Sequence, residues 1–138
     1  MHLKYFEQQF QKRNIQVNLN PGLSEEEIEL HQIRLKIILP KLVRIFYAFA
    51  NGYEVKGFNF IQLPIENWIE LPDGMIQFMT IENKSKIGWD VTHLNDANEW
   101  DILNCITKNR ITLTMTSLWS NKIWKWFDRK KEFWNGEV

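Results

Sequence analysis

Apolar residues recur every three or four positions in two stretches of the N-terminal half, a spacing typical of helices that turn one face to the core. The first stretch begins at Ser24 and is predicted to run to about Lys36. Ser24 and Glu27 have the spacing of a capping box, in which each side chain accepts a backbone N–H of the first turn. The positions predicted to face the core are Ile28, Gln32 and Leu35. A shorter, polar helix is predicted over residues 3–14.

The second apolar stretch follows Pro40, which suits the first turn of a helix because an N–H there would have no partner within the helix. The stripe predicted to face the core consists of Leu42, Ile45, Phe46 and Phe49. Glycine readily adopts the left-handed backbone that ends many helices. Asn51-Gly52 is therefore predicted to stop this helix.

Short apolar runs separated by turn residues replace the helical spacing between Tyr53 and about Leu94, which indicates β-strands. The predicted strands cover residues 58–61, 75–81 and 87–91, with a further one around 110–115. Turns are predicted at Asp73-Gly74 and Lys84-Ser85-Lys86, and a loop at 95–98. The strand 75–81 is apolar on both faces, so we expect it to be covered on both sides.

A tryptophan-rich helix is predicted from Leu118 to Trp134, with Ser117 as its N-cap. The stripe predicted to face the core consists of Trp119, Ile123, Trp126, Phe127 and Trp134. Trp124 falls outside that stripe at the turn of about 100° per residue of an α-helix. It is therefore predicted to lie either at the rim of the core or in contact with a partner.

These elements predict a single α+β domain over residues 1–138. We expect two N-terminal helices, a mostly antiparallel sheet of about four to six strands, and a C-terminal helix packed on the core. A chain of 138 residues is long enough to bury such a core as one domain.

The formal charge of the chain is zero, but the charges are unevenly distributed. Residues 66–101 carry eight acidic and two basic side chains, whereas residues 102–138 carry seven basic and three acidic ones. An acidic segment attracts basic partners and repels phosphate. In the folded protein these acids either form one acidic surface or are balanced by neighbouring lysines.

The sequence contains few signs of catalytic chemistry. The three histidines are scattered, and no spacing typical of a zinc site, a phosphate loop or a nucleophile elbow occurs. We therefore expect no catalytic, cofactor-binding or metal-binding residues. The alternative is a hydrolase in which Glu82, Asp90 and His93 form a carboxylate–imidazole site. We also expect no nucleic-acid binding, because the tryptophans near the basic C-terminal residues fall mostly on one helical face.

Cys105 is the only cysteine, so no internal disulfide can form, and we interpret it as a small buried hydrophobic residue. The first residues lack the apolar run of a secretory signal. No run in the sequence is long enough to span a bilayer. We therefore expect a cytoplasmic protein that does not associate with membranes.

Two groups of motifs, in their order along the chain, resemble the SUKH superfamily, which includes the fungal Smi/Knr cell-wall regulators and many bacterial toxin-immunity proteins. The first group is Leu23-Ser24-Glu25-Glu26, Leu39-Pro40, Phe46-Tyr47 and Asn51-Gly52. The second group is Ile81-Glu82-Asn83, Gly88-Trp89-Asp90 and Asn95-Asp96 followed by Trp100. The likeness covers roughly residues 18–134, so residues 1–17 form an N-terminal extension outside it. The sequence departs from the family at Gln32, where a glutamate is usual, and at Asn98, where a proline is common.

The resemblance implies a non-catalytic immunity protein that neutralises a cognate toxin by direct protein–protein binding, as a monomer or a homodimer. Many such toxins are nucleases, whose basic grooves would suit an acidic surface. On this basis, the predicted partner contacts are Glu66, Glu70, Asp73, Asp96, Glu99 and Asp101, with Trp124 as a further candidate. The alternative within the same superfamily is a regulatory scaffold of the Smi/Knr type that binds cellular proteins.

Overall fold

The computed structural model describes residues 3–134 and shows an α+β fold built on one antiparallel sheet of eight strands. The α+β class is confirmed, and the sheet is larger than predicted. The helices are α1 (Phe6–Lys12), α2 (Glu25–Leu35), α3 (Lys41–Phe49), α4 (Met115–Ser117) and α5 (Trp124–Arg129), with a π-helical turn over Leu118–Ile123 between the last two. The strands are β1 (Val17–Pro21), β2 (Ala50–Val55), β3 (Phe60–Gln62), β4 (Ile69–Leu71), β5 (Met75–Ile81), β6 (Ser85–Asp90), β7 (Ile102–Asn104) and β8 (Arg110–Thr112). Short 3-10 turns cover Leu3–Tyr5, Ile65–Asn67 and Pro72–Gly74.

The sheet has the order β1-β2-β3-β5-β6-β7-β8, and β4 pairs with the half of β5 that β3 does not reach. The β5–β6 hairpin lies at its centre. As predicted, β5 is covered on both sides in its first half, because its neighbours Ile76 and Gln77 point to opposite faces and are only 3% and 4% exposed.

Aromatic side chains form two neighbouring clusters within one continuous hydrophobic core. The first aromatic cluster is centred on Phe6, Phe10, Tyr53, Phe60 and Trp119. The second aromatic cluster consists of Tyr47, Trp68, Phe78, Trp89 and Trp100. In the second, Phe78 stacks on Trp89 with 3.8 Å between ring centroids. Helix α3 links the two clusters, because Tyr47 belongs to the second and Phe49 lies 5.8 Å from Phe6 of the first, measured between ring centroids.

The N-terminal segment is an integral part of this fold. Phe6 and Phe10 of α1 are 1% and 0% exposed, although the other residues of that helix are polar. Strand β1 then pairs with β2, from Val17 opposite Val55 to Pro21 opposite Ala50. The short helix predicted over residues 3–14 is thus present as α1, and three helices, where the predicted architecture had two, precede β2.

Helix α3 ends at Phe49 and the chain continues directly into β2, with Ala50 already extended. Asn51-Gly52 consequently lies inside a strand, and its prediction as a helix stop is wrong. Gly52 does have a positive φ of 80°, and a Cβ at this position would lie 2.5 Å from the carbonyl oxygen of Gln62. Glycine here allows two strands to approach closely.

The core-facing stripe of α3 also differs from the predicted one. The buried residues are Val43, Phe46 and Tyr47, whereas Ile45 is 42% exposed. Tyr47 is fully buried because its hydroxyl donates to the carbonyl of Leu63 and accepts the indole N–H of Trp68. A tyrosine whose hydroxyl has two hydrogen-bond partners can thus face the core, while the more hydrophobic Ile45 faces away from it.

The turns at the two ends of β5 have different outcomes. Asp73 and Gly74 both have positive φ, which confirms a tight turn before β5. After β5, the positive φ values fall on Glu82 and Asn83, so the turn comes earlier than predicted and β6 begins at Ser85.

The C-terminal helical segment begins at Met115, with the Thr114 hydroxyl accepting the Ser117 N–H at 3.0 Å, so Ser117 is not the N-cap. It ends at Arg129, earlier than the predicted Trp134. In the π-helical turn, the Trp124 N–H bonds to the Trp119 carbonyl. This wider turn brings Trp124 back to the core face, where it is only 8% exposed. The expected position off the core face is therefore wrong.

Candidate protein-binding surface

An open groove of about 750 Å³ lies between α2 with the turn that follows it and the loop 91–100. The α2 side contributes Glu29, Gln32, Ile33, Lys36, Ile37, Ile38, Leu39 and Pro40. The loop side contributes Val91, Thr92, His93, Leu94 and Trp100. Eight of these thirteen residues are apolar, and both walls contain polar residues as well.

Three large apolar side chains of this groove are exposed and are called the apolar patch below. Ile33, Ile38 and Leu94 are 72%, 80% and 54% exposed. Isolated exposed apolar residues are common on protein surfaces, but a group that lines one concavity marks an interaction site. The apolar patch is therefore the best candidate for a functional surface in the described part of the chain.

The end of α2 explains why the first wall of the groove is exposed. Ile33 follows the buried Gln32 and so lies about 100° around the helix from the core-facing positions. Lys36 ends the helix in the left-handed conformation. The chain then reverses, so that Leu39 is buried while Ile38 points outward.

Gln32 holds this turn in place. Its side-chain oxygen accepts the Leu39 N–H at 2.8 Å and a guanidinium N–H of Arg44 at 3.1 Å. A second Arg44 nitrogen lies 3.3 Å from the Glu29 carboxylate. The position at which the SUKH pattern has a glutamate is thus occupied by a neutral acceptor that serves both the backbone and an arginine.

Replacing Gln32 with leucine is expected to lower the free energy of unfolding by about 1–3 kcal/mol, because it leaves the Leu39 N–H without an acceptor. Gln32→Glu keeps an acceptor oxygen beside Arg44 and is expected to stay within about 1 kcal/mol of wild type. Urea denaturation of the three proteins provides the measurement. A Gln32→Leu variant as stable as wild type would show that the turn does not depend on this side chain.

Asn95 orders the opposite wall. Its side-chain oxygen accepts the Ala97 N–H at 2.9 Å and the Glu99 N–H at 3.3 Å. Its amide donates to Asp101 and to the carbonyl of Leu113, both at 2.9 Å. Asn98 has a φ of 58°, which the ring of a proline would forbid. The loop therefore has a defined conformation that differs from one with proline at this position.

The charges at the groove are mixed. His93 lies on the loop wall, with its Nδ1 atom 3.7 Å from the carboxylate of Asp90.

A second concavity, of about 410 Å³, lies between α3 and residues 97–99 of the same loop. The exposed Ile45 lines that concavity, which shares no lining residue with the main groove.

The six acids predicted as partner contacts occupy two regions. Asp96, Glu99 and Asp101 belong to or follow the loop 91–100, and Glu66, Glu70 and Asp73 lie on the segment that leads to β5. Four of them already bind groups of their own chain: Glu66 the Asn51 amide, Asp73 Lys108, Glu99 the Met115 N–H, and Asp101 the Asn95 amide. Glu70 and Asp96 are exposed.

Glu99 carries a perturbed carboxyl. Partial burial raises its pKa above the usual 4.5, and the hydrogen bond from the Met115 N–H opposes the shift. The carboxyl is therefore more easily protonated in the folded chain than in the unfolded one. Its contribution to stability is most favourable below pH 4.5 and declines as the pH rises through the raised pKa.

Glu99→Gln is accordingly expected to be more stable than wild type at about pH 7, with a gap that closes as the pH falls to 4.5. The amide oxygen still accepts the Met115 N–H, so the substitution removes only the charge. Denaturant midpoints measured across this pH range test the expectation, with Glu54→Gln on the exposed side of β2 as control. A gap independent of pH would mean that the charge of Glu99 has no role.

The three groups of the hydrolase alternative do not converge. Glu82 lies in the turn before β6, and Asp90 lies at the other end of that strand. The five steps from Ser85 to Asp90 alone span roughly 17 Å, far beyond the reach of a paired carboxylate. Within residues 3–134, no group of three or more metal-ligating side chains occurs.

Cys105 is half-buried, whereas it was predicted to be buried. Burial raises the pKa of its thiol to about 11, so the thiol is protonated at neutral pH.

Among the helices of residues 3–134, none has the length and apolar character needed to cross a bilayer.

Comparison with known proteins gives no match, either to a family model or to a curated sequence. The likeness to the SUKH superfamily therefore rests on the ordered motifs alone. The groove was not predicted from the sequence. The apolar run Ile37-Ile38-Leu39, directly after a predicted helix, is the pattern that could have indicated it.

Proposed function

We propose that this protein acts by binding another protein through the apolar patch and the groove around it, and that the partner is a bacterial toxin which it neutralises. The observation that carries the proposal is the exposure of Ile33, Ile38 and Leu94 on one concave surface. The toxin as partner comes from the resemblance to the SUKH superfamily.

The energetic argument favours this surface over the acids alone. Burying an exposed isoleucine or leucine against a partner contributes on the order of 1.5–3 kcal/mol per side chain. The walls are already fixed by Gln32 and Asn95, so the partner meets a surface that loses little conformational entropy on binding. A few well-packed anchors of this kind dominate most protein–protein affinities.

The acidic residues would have a different role, in steering a basic partner toward the groove. Glu70 and Asp96 suit a test of this role because both are exposed, whereas the other four acids bind groups of the chain itself. The double variant Glu70→Lys with Asp96→Lys is expected to slow toxin association about tenfold at low salt, with a smaller effect at about 0.15 M salt.

The matched control for this variant is Glu7→Lys with Glu54→Lys, which changes the net charge equally outside the acidic segment. Stopped-flow measurements at several salt concentrations give the association rates. Unchanged association of the Glu70/Asp96 variant at low salt, or equal slowing by the control, would contradict the steering role.

The proposed function is tested by co-expressing the protein with the product of a toxin-like reading frame beside its gene. We expect rescue of growth and co-purification of a stable complex. Failure to rescue growth, despite soluble expression of both proteins, would contradict the proposal. A gene without such a neighbour would contradict the toxin assignment and favour the scaffold of the Smi/Knr type.

A further inference from the structure

A cleft of about 360 Å³ lies beside the C-terminal helical segment, and none of its lining residues belongs to the groove described above. Strand β8 supplies Ile111 and Thr112, and the helical segment supplies Ser117, Asn121, Lys122 and Lys125. The chain after α5 closes the cleft with residues 131–133. Ile111 and Phe133 are buried, so the cleft combines an apolar side with a polar one.

The polar side of the cleft is positively charged. Lys122, Lys125 and Lys131 line it against a single carboxylate, that of Glu132. Within residues 3–134, neither Lys125 nor Lys131 forms an ion pair with a carboxylate. Their ammonium groups can therefore bind an anion without first breaking a described ion pair.

Ser117 contributes a hydrogen-bond donor to the same cleft. Its hydroxyl oxygen accepts from the Thr112 hydroxyl at 2.8 Å and from the Asn121 amide at 3.1 Å. A serine hydroxyl has two acceptor positions and one donor proton. With both acceptor positions used, the proton of Ser117 is left to donate to an acceptor in the cleft.

We propose that this cleft binds the phosphate group of a small organic ligand. Ammonium groups and a hydroxyl proton match the several acceptor oxygens of a phosphate. The apolar side formed by Ile111 and Phe133 would contact the organic part of the ligand. The volume suits a molecule of about mononucleotide size, since small-molecule sites begin at about 300 Å³.

A titration of the isotope-labelled protein, followed by NMR, tests this proposal with three probes: inorganic phosphate, adenosine monophosphate and adenosine. We expect saturable shifts of the Ser117, Asn121 and Lys125 amides with the first two probes and none with adenosine. Lys125→Ala with Lys131→Ala is expected to weaken binding of adenosine monophosphate at least about tenfold, and Ser117→Ala severalfold.

The matched control is Lys12→Ala with Lys56→Ala, which removes two exposed lysines outside the cleft and is expected to change affinity less than about twofold. Thermal midpoints of all variants establish that they are folded. The absence of saturable shifts up to about 10 mM of either phosphate probe would overturn the proposal. So would equal binding of adenosine, or equal weakening by the control pair. An acidic polymer that binds while both small phosphates fail would also overturn it.

Discussion

Replacing Phe6 with alanine is expected to lower the free energy of unfolding by about 3–5 kcal/mol. The ring of Phe6 lies 4.8 Å from that of Trp119, 5.2 Å from Phe10 and 5.4 Å from Tyr53, measured between centroids. Its removal would leave a cavity where the N-terminal helix, the sheet and the C-terminal helical segment meet. Chemical denaturation followed by tryptophan fluorescence measures the change.

The matched control is Gln8→Ala on the exposed side of the same helix, which is expected to change stability by less than about 0.5 kcal/mol. A loss of less than about 1 kcal/mol for Phe6→Ala would contradict the integral role of α1. It would instead support the boundary near residue 18 that the SUKH resemblance implies.

The double substitution Ile33→Asp with Ile38→Asp is expected to weaken toxin binding at least about 100-fold, because it places two charges where apolar anchors would be buried. Both side chains are largely exposed in the free protein, so the fold should tolerate the change. Calorimetry gives the affinity, and the thermal midpoint confirms folding. The prediction rests on the proposed function and concerns only the groove.

Ile106→Asp serves as the control for this variant, since Ile106 is 65% exposed and lies outside the groove. Its affinity for the partner is expected to equal that of wild type. If the Ile33/Ile38 variant bound as tightly as wild type, the apolar patch would not be the interface, even if the protein were an immunity protein.

Elements with strong local signals were predicted correctly from the sequence. The capping box at Ser24 is present, with both of its hydrogen bonds formed, and the core-facing residues of α2 are those predicted. Strand β5 has the predicted bounds, because the Asp73-Gly74 turn defines its start and five of its seven residues are apolar. In both cases the local sequence and the tertiary structure favour the same conformation.

Elements stabilised by distant partners could not be predicted in this way. Strand β1 contains two asparagines and a proline, and its conformation depends on pairing with β2. The three-residue strands β4 and β7 are too short for an alternating pattern to be recognised. The π-helical turn moved Trp124 to the core because a period of 3.6 residues does not apply there.

The candidate site was harder to predict than the fold. The uneven charge distribution directed attention to the acids, yet most of these acids bind groups of their own chain. The groove depends on how far the loop 91–100 lies from the end of α2, which no local pattern encodes. An exposed isoleucine in the sequence is indistinguishable from a buried one until the chain direction after Lys36 is known.

Hydrogen–deuterium exchange of the co-purified complex tests most directly whether this protein works by covering its partner with the groove. We predict that partner binding slows exchange in residues 30–40 and 91–100 and leaves the exposed segment around Ile106 unchanged. Protection confined to other segments, with both walls of the groove exchanging as in the free protein, would contradict that account.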